Sequence, residues 1–321
     1  MQKINAIDFS ENSECMCVAL NNGFAVFQTN PLKLNFYRQF PDKQIGKAVT
    51  IPGSSIIVCT GVSGQTSFSD KTVIVFDESL GRSVLEINLP DPVKRIKMYP
   101  TMFSVTTRSE MRLYTFDPPM LYCQFINTPN EYAPSDLVWH RGAHQVALTG
   151  RDLSTVRIVS GTTNDFSFKA HNHGVSMVKM NSDGNYIATA SETGTCIRLW
   201  RCENGEKVAE FRRGRLSTQI TSLAFDPRLQ LLSVASTNPT LHVFQIPPST
   251  KTPQPQEEMT WKNPEQGLSY ISFDKSGHLL VGTQNGSLFV LRYDITNKTI
   301  IQESITLFTT LLNSSPSSSG H

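Results

Sequence analysis

The chain has 321 residues, a formal net charge of +2, 39% hydrophobic and 17% charged residues. That is ample apolar material for a core, and the balance lies too near neutral for a general nucleic-acid binder, which shows a strong basic excess. The opening "MQKINAIDFS" has no apolar leader core and no 18-residue apolar run follows, so a cytoplasmic, non-spanning protein is expected. Taken in order, the predicted elements are short alternating strands between turn signals, with almost no helical periodicity. A similar tetrad recurs: Phe24–Phe27, Val73–Phe76, Met111–Tyr114, Val156–Val159, Ile197–Trp200, Leu241–Phe244 and Leu288–Leu291. Their last residues are spaced by 49, 38, 45, 41, 44 and 47. An interval of about 44 residues is that of a four-stranded blade, and seven of them predict an all-β, seven-bladed, WD40-like β-propeller of antiparallel sheets.

The fifth unit shows the pattern most clearly: "HGVSMVKMN", "NYIATAS", "TCIRLW" and "KVAEF" are strands, with "SDG", "ETG" and "CENG" as turns. The seventh repeats it, with Asn285-Gly286 closing one hairpin. Two insertions break the rhythm: residues 64–71, "GQTSFSDK", and residues 247–258, "PPSTKTPQPQEE". The second is too rich in Pro, Gln and Thr to fold alone. A single propeller is expected over 1–310, with a disordered tail over 311–321.

Catalytic signatures are missing: there is no Gly-x-Ser-x-Gly elbow, Walker loop or dinucleotide fingerprint. The six cysteines are dispersed, and Cys15-Met16-Cys17 has the spacing of neither a disulfide nor a zinc knuckle. His171 and His173 have no neighbouring ligand cluster and read as turn histidines. No enzyme activity, cofactor or metal is therefore expected. One feature stands apart, the sequence "EFRRGRLS" over Glu210–Ser217, in which a strand ends in two adjacent arginines. Alternation sends neighbouring strand side chains to opposite faces, so Arg212 and Arg213 are expected to serve two different grooves. A guanidinium suits phosphate through two parallel charge-assisted hydrogen bonds, although a solvated strand end has the same sequence.

The stretch "AHNHGVSMVKMNSDGNYIATASETGTCIRLW…EFRRG" resembles the PROPPIN family of polyphosphoinositide-binding propellers. The resemblance rests on Ala170-His171, on Ala188 to Arg198 and on Phe211 to Gly214, with a weaker echo in "NNGFAVFQTNPLK" over Asn21–Lys33. It implies two headgroup sites flanking the arginine pair. The first would comprise His171, Ser191, Thr195, Arg198 and Arg212, and the second Arg213, Ser236, Thr240 and His242. It further implies recognition of phosphatidylinositol 3-phosphate and the 3,5-bisphosphate. The expected setting is a monomer recruited to autophagic (preautophagosomal), endosomal or vacuolar and lysosomal membranes. Autophagy or trafficking proteins are expected on a surface of blades two and three.

This sequence departs from the family pattern in three places. Pro239 stands where a turn glycine is usual, Thr193 stands where many members have a basic or polar residue, and the insertion 247–258 has no large apolar residue to enter a bilayer. These departures keep open a second reading, a protein–protein scaffold whose lipid sites have decayed. The resemblance gives Arg215 no role.

Overall fold

Each of the seven tetrads lies in the third strand of a four-stranded antiparallel meander, and the chain is a seven-bladed β-propeller. The computed structural model describes residues 2–140, 142–161, 164–247 and 258–313. The first strands are half-buried. The second strands are the most enclosed, as in Cys15–Leu20, Met102–Thr106 and Leu231–Ser236, where every residue is buried. The fourth strands, such as Arg82–Asn88, Pro119–Ile126 and Thr299–Leu307, are largely exposed. Continuous Val/Ile/Leu/Ala runs therefore mark second and third strands, which are covered on both faces, and mixed runs mark the outer edges.

Two compact units divide the chain. The first holds blades one to three with Gly282–Phe289 and the segment from Ser304 onward. Its core joins Cys15, Cys17, Phe24, Ile57, Cys59 and Phe76. Cys15 and Cys17, two apart on one strand, share a face there. All six cysteines are free, and burial pushes the Cys15 thiol up to about 11 and that of Cys59 to about 12. Both are inert at neutral pH.

The insertion at 64–71 is packed rather than simply polar. Gln65 and Ser67 donate to the Asp42 carbonyl, and Phe68 is buried in the same core. Gly61 allows that approach, because a Cβ there would lie 1.9 Å from the Phe68 carbonyl oxygen. At the other end of the chain, Phe308 packs on Phe27 at 5.3 Å between ring centroids. A short helix, Thr309–Asn313, then buries Leu312, so residues 311–313 are ordered where a tail is expected. The remainder of that tail, 314–321, falls outside the described residues, as does 248–257 of the polar insertion.

The second unit holds blades four to six and most of blade seven. Blades five and six meet through Ile197, Leu199 and Phe211 on one side and Leu223, Leu232, Val234 and Phe244 on the other. The Phe211 and Phe244 rings stack at 5.1 Å and 16°. Among the described residues, no helix is long and apolar enough to cross a membrane.

Candidate functional site: the strand end between blades five and six

The fourth strand of blade five runs Lys207–Arg212, with Arg212 opposite Cys196 of the third strand. Its last residue is exposed, and the next, Arg213, is only 7% exposed. The pair therefore divides by exposure, and the strand itself ends at Arg212. Arg213 turns inward, donating from Nε to the Gly194 carbonyl at 2.7 Å and from Nη2 to the Leu216 carbonyl. Both acceptors are backbone, so this arginine closes a loop as well as carrying charge.

The turn it holds, Ser191–Cys196, joins the second and third strands of blade five. Gly194 makes it possible. Its φ is +66°, its N–H donates to the Ser191 carbonyl at 2.8 Å, and a Cβ would lie 1.9 Å from the Thr218 carbonyl oxygen. Thr193 accepts at its carbonyl from Thr218 N at 3.0 Å and from Ser217 Oγ at 3.1 Å. On the other flank Glu192 N donates to the Gly174 carbonyl at 2.7 Å. The turn is thus gripped by both inter-blade connections. Three hydroxyls line it in a row, Ser191 to Thr193 and Thr193 to Thr195, each pair 3.0 Å apart.

Arg198 sits in the third strand, directly opposite Glu210. Its Nε donates to Glu210 Oε2 at 2.8 Å and its Nη1 to the Ala170 carbonyl at 2.7 Å. Burial alone would raise the Glu210 carboxyl, but Arg198 and then Lys207 outweigh it and hold the group below its ordinary value. His171 lies behind the surface, 2% exposed, with Nε2 2.9 Å from Thr189 Oγ1. Trp200 Nε1 donates to that same hydroxyl at 3.0 Å. With Trp200 donating in and the Arg198 carbonyl 3.5 Å from Thr189 Oγ1, the His171–Thr189 bond can run in either direction with a neutral imidazole. Burial, and then Arg198, push His171 down to about 4, so the ring is neutral at physiological pH.

The second group is built differently. Ser236 is buried and its Oγ accepts from Asn238 N at 3.2 Å, while Asn238 Oδ1 accepts from Thr240 N at 3.0 Å. Pro239 has no N–H to close the turn, and no positive φ occurs between Ser236 and Thr240. Side chains of Ser236 and Asn238 close it instead. His242 is 7% exposed, stacks on Phe244 at 6.1 Å, and places Nδ1 2.5 Å from Glu258 Oε1. Burial lowers Arg213 from its ordinary value, and Glu258 partly offsets that. Arg213, Glu258 and His242 thus form one electrostatic group.

A family model described as PROPPIN matches residues 142–281. SVP1-like protein 2 of Schizosaccharomyces pombe is 31% identical over 255 residues, which are 78% of this chain and 70% of that relative. The chain belongs to the PROPPIN family. Autophagy-related protein 18 of Kluyveromyces lactis is 23% identical over 316 residues, and the chain spans 62% of its length. Hsv2 of Kluyveromyces lactis superposes with a TM-score of 0.78 at 19% identity, over 96% of this chain and 100% of that structure. KlAtg21, solved in complex with the coiled coil of AgAtg16, superposes with a TM-score of 0.80 at 16% identity, over 95% and 99%.

In this PROPPIN the residues expected for the first site gather around one turn, with His171 underneath rather than at its surface. Of those expected for the second, Ser236 and Thr240 share one turn and His242 is engaged by a carboxylate, while the Arg213 side chain is bonded to Gly194 and Leu216. The two acids, Glu210 and Glu258, are the residues the sequence reading passed over. Glu210 had a signal: it lies two before Arg212 on one strand and so shares its face. Glu258 had none, because it reaches His242 from the far side of the insertion.

Proposed function

We propose that this PROPPIN is a non-enzymatic, peripheral membrane protein that reads phosphatidylinositol 3-phosphate, and the 3,5-bisphosphate, on autophagic and endosomal membranes. The observation that carries this reading is the unequal placing of the arginine pair at one strand end, Arg212 exposed opposite Cys196 and Arg213 buried against the hydroxyl-bearing Ser191–Cys196 turn. Arg212 and Arg198 supply charge to the first site, and Ser191 and Thr195 supply hydroxyl donors. His171 sets the wall behind them through Thr189. The second site has Arg213, Ser236, Thr240 and His242, but Glu258 leaves it close to neutral, so the first site dominates. Two weak sites on one rigid edge add through effective concentration.

A second reading draws on the outer edges of blades two and three, where Leu80 in a turn and Val84, Met120, Leu121 and Tyr122 on the outer strands are exposed. Exposed apolar side chains on an outer strand suit the apolar face of a partner helix, and KlAtg21 has been solved bound to a coiled coil. The chain would act there as a monomeric scaffold for autophagy or trafficking proteins.

One experiment separates the two. Vesicle flotation with phosphatidylinositol 3-phosphate should weaken on the order of a hundredfold in the Arg212→Thr, Arg213→Thr variant, which removes two charge-assisted contacts. Undiminished flotation overturns lipid reading and leaves the scaffold in its place.

A further inference from the structure

Leu216 is 80% exposed, more than any other large apolar side chain described. A scattered surface leucine needs no explanation in itself. This one differs in how it is held and in what surrounds it. The segment Gly214–Thr218 is bound at three points: Arg213 to the Leu216 carbonyl, Ser217 Oγ to the Thr193 carbonyl, and Thr218 N to the same carbonyl. The leucine backbone is therefore fixed while its side chain is thrust into solvent. Arg215 beside it is exposed, as is Arg212 at the end of the strand. The residue whose guanidinium anchors it, Arg213, belongs to the proposed lipid site.

We infer that Leu216 is a bilayer anchor. It enters the interfacial region of an anionic membrane while Arg212 and Arg215 meet the lipid phosphates. The occupant is a lipid surface rather than a protein groove because an exposed apolar side chain in a segment with exposed Arg212 and Arg215 matches an apolar layer lying beneath a sheet of anions. Fixing the loop in advance removes much of the ordering cost that a flexible anchor would incur on insertion. This rests on the lipid reading proposed above and adds to it a contact with the hydrocarbon boundary, independent of the headgroup.

The test uses the full chain, phosphatidylcholine vesicles with and without phosphatidylinositol 3-phosphate, and soluble inositol 1,3-bisphosphate measured by calorimetry. Leu216→Ser should weaken vesicle binding roughly tenfold and leave the affinity for soluble inositol 1,3-bisphosphate unchanged. In Leu216→Trp, the introduced indole, corrected for the signal of the wild-type tryptophans, should shift its fluorescence blue on vesicles and be quenched by brominated acyl chains. Equal vesicle affinity for Leu216→Ser, or an introduced indole that stays unquenched, overturns the anchor. A parallel loss of soluble headgroup affinity also overturns it, since the loop would then be shaping the site. If the double arginine variant floats as well as wild type, headgroup reading fails, whatever the Leu216 variants do.

Discussion

Blades five and six carry matching residues at matching strand positions, yet they finish their turns by different means. Blade five closes Ser191–Cys196 with a glycine at positive φ, and blade six closes Ser236–Thr240 with side-chain hydrogen bonds around a proline. Arg198 shares its guanidinium between Glu210 and a carbonyl, whereas His242 is capped by Glu258. The difference teaches that a binding group's availability is decided by the outer strand. In both blades an acid of the outer strand engages the third-strand group, Glu210 with Arg198 and Glu258 with His242.

The comparison can be broken most forcefully at the turns. Gly194→Ala must shift the Thr218 carbonyl and place an alanine at a φ of +66°, and should cost about 4 kcal/mol of stability by thermal or urea unfolding. Pro239→Gly needs no such rearrangement and should change stability by no more than about 1 kcal/mol. Comparable losses at both positions would mean the turns are equivalent after all.

Next in size is a pH dependence seated in blade five. The folded-state value of His171, about 4, lies below the ordinary 6.5, so the unfolded chain takes up the proton first. The stability from keeping the ring neutral is complete above pH 6.5 and lost progressively as pH falls to 4, about 3 kcal/mol in all. Melting temperature should fall through that window, and His171→Gln should flatten the slope. An unchanged slope would place the titration elsewhere.

The smallest effect sharpens the contrast in charge. Glu258→Gln removes the cap on His242 and should strengthen vesicle binding about threefold, within the range of one partly exposed ion pair. Weaker binding in this variant would make Glu258 a support for the second site rather than a competitor.

How far the molecule was legible in the sequence follows from the distance over which each feature is determined. The seven blades and their third strands are written locally, in period-two alternation and turn residues, and every tetrad lands in its strand. The exposure of Arg212 and the burial of Arg213 accord with the same period. Burial of Phe68 inside a polar-looking loop does not, because it depends on Gly61 and on partners such as Phe24 and Phe76. Nor does the helix after Phe308, which packs in the unit of the chain's first strands. His171 read as a turn residue or a ligand, but its partner Thr189 lies 18 positions on and Trp200, which donates to the same hydroxyl, lies 29 on, so only folding assembles the three.

The hydroxyl row of Ser191, Thr193 and Thr195 has a further property. In each 3.0 Å pair either oxygen can be the donor. Rotating the three O–H bonds together reverses the polarity of the row without moving a heavy atom. One end can then present a hydrogen to an oxyanion or a lone pair to a protonated one. The row is a dipole whose direction the hydroxyl rotors set, with the Cys196 carbonyl 3.4 Å from Ser191 as a further acceptor at one end.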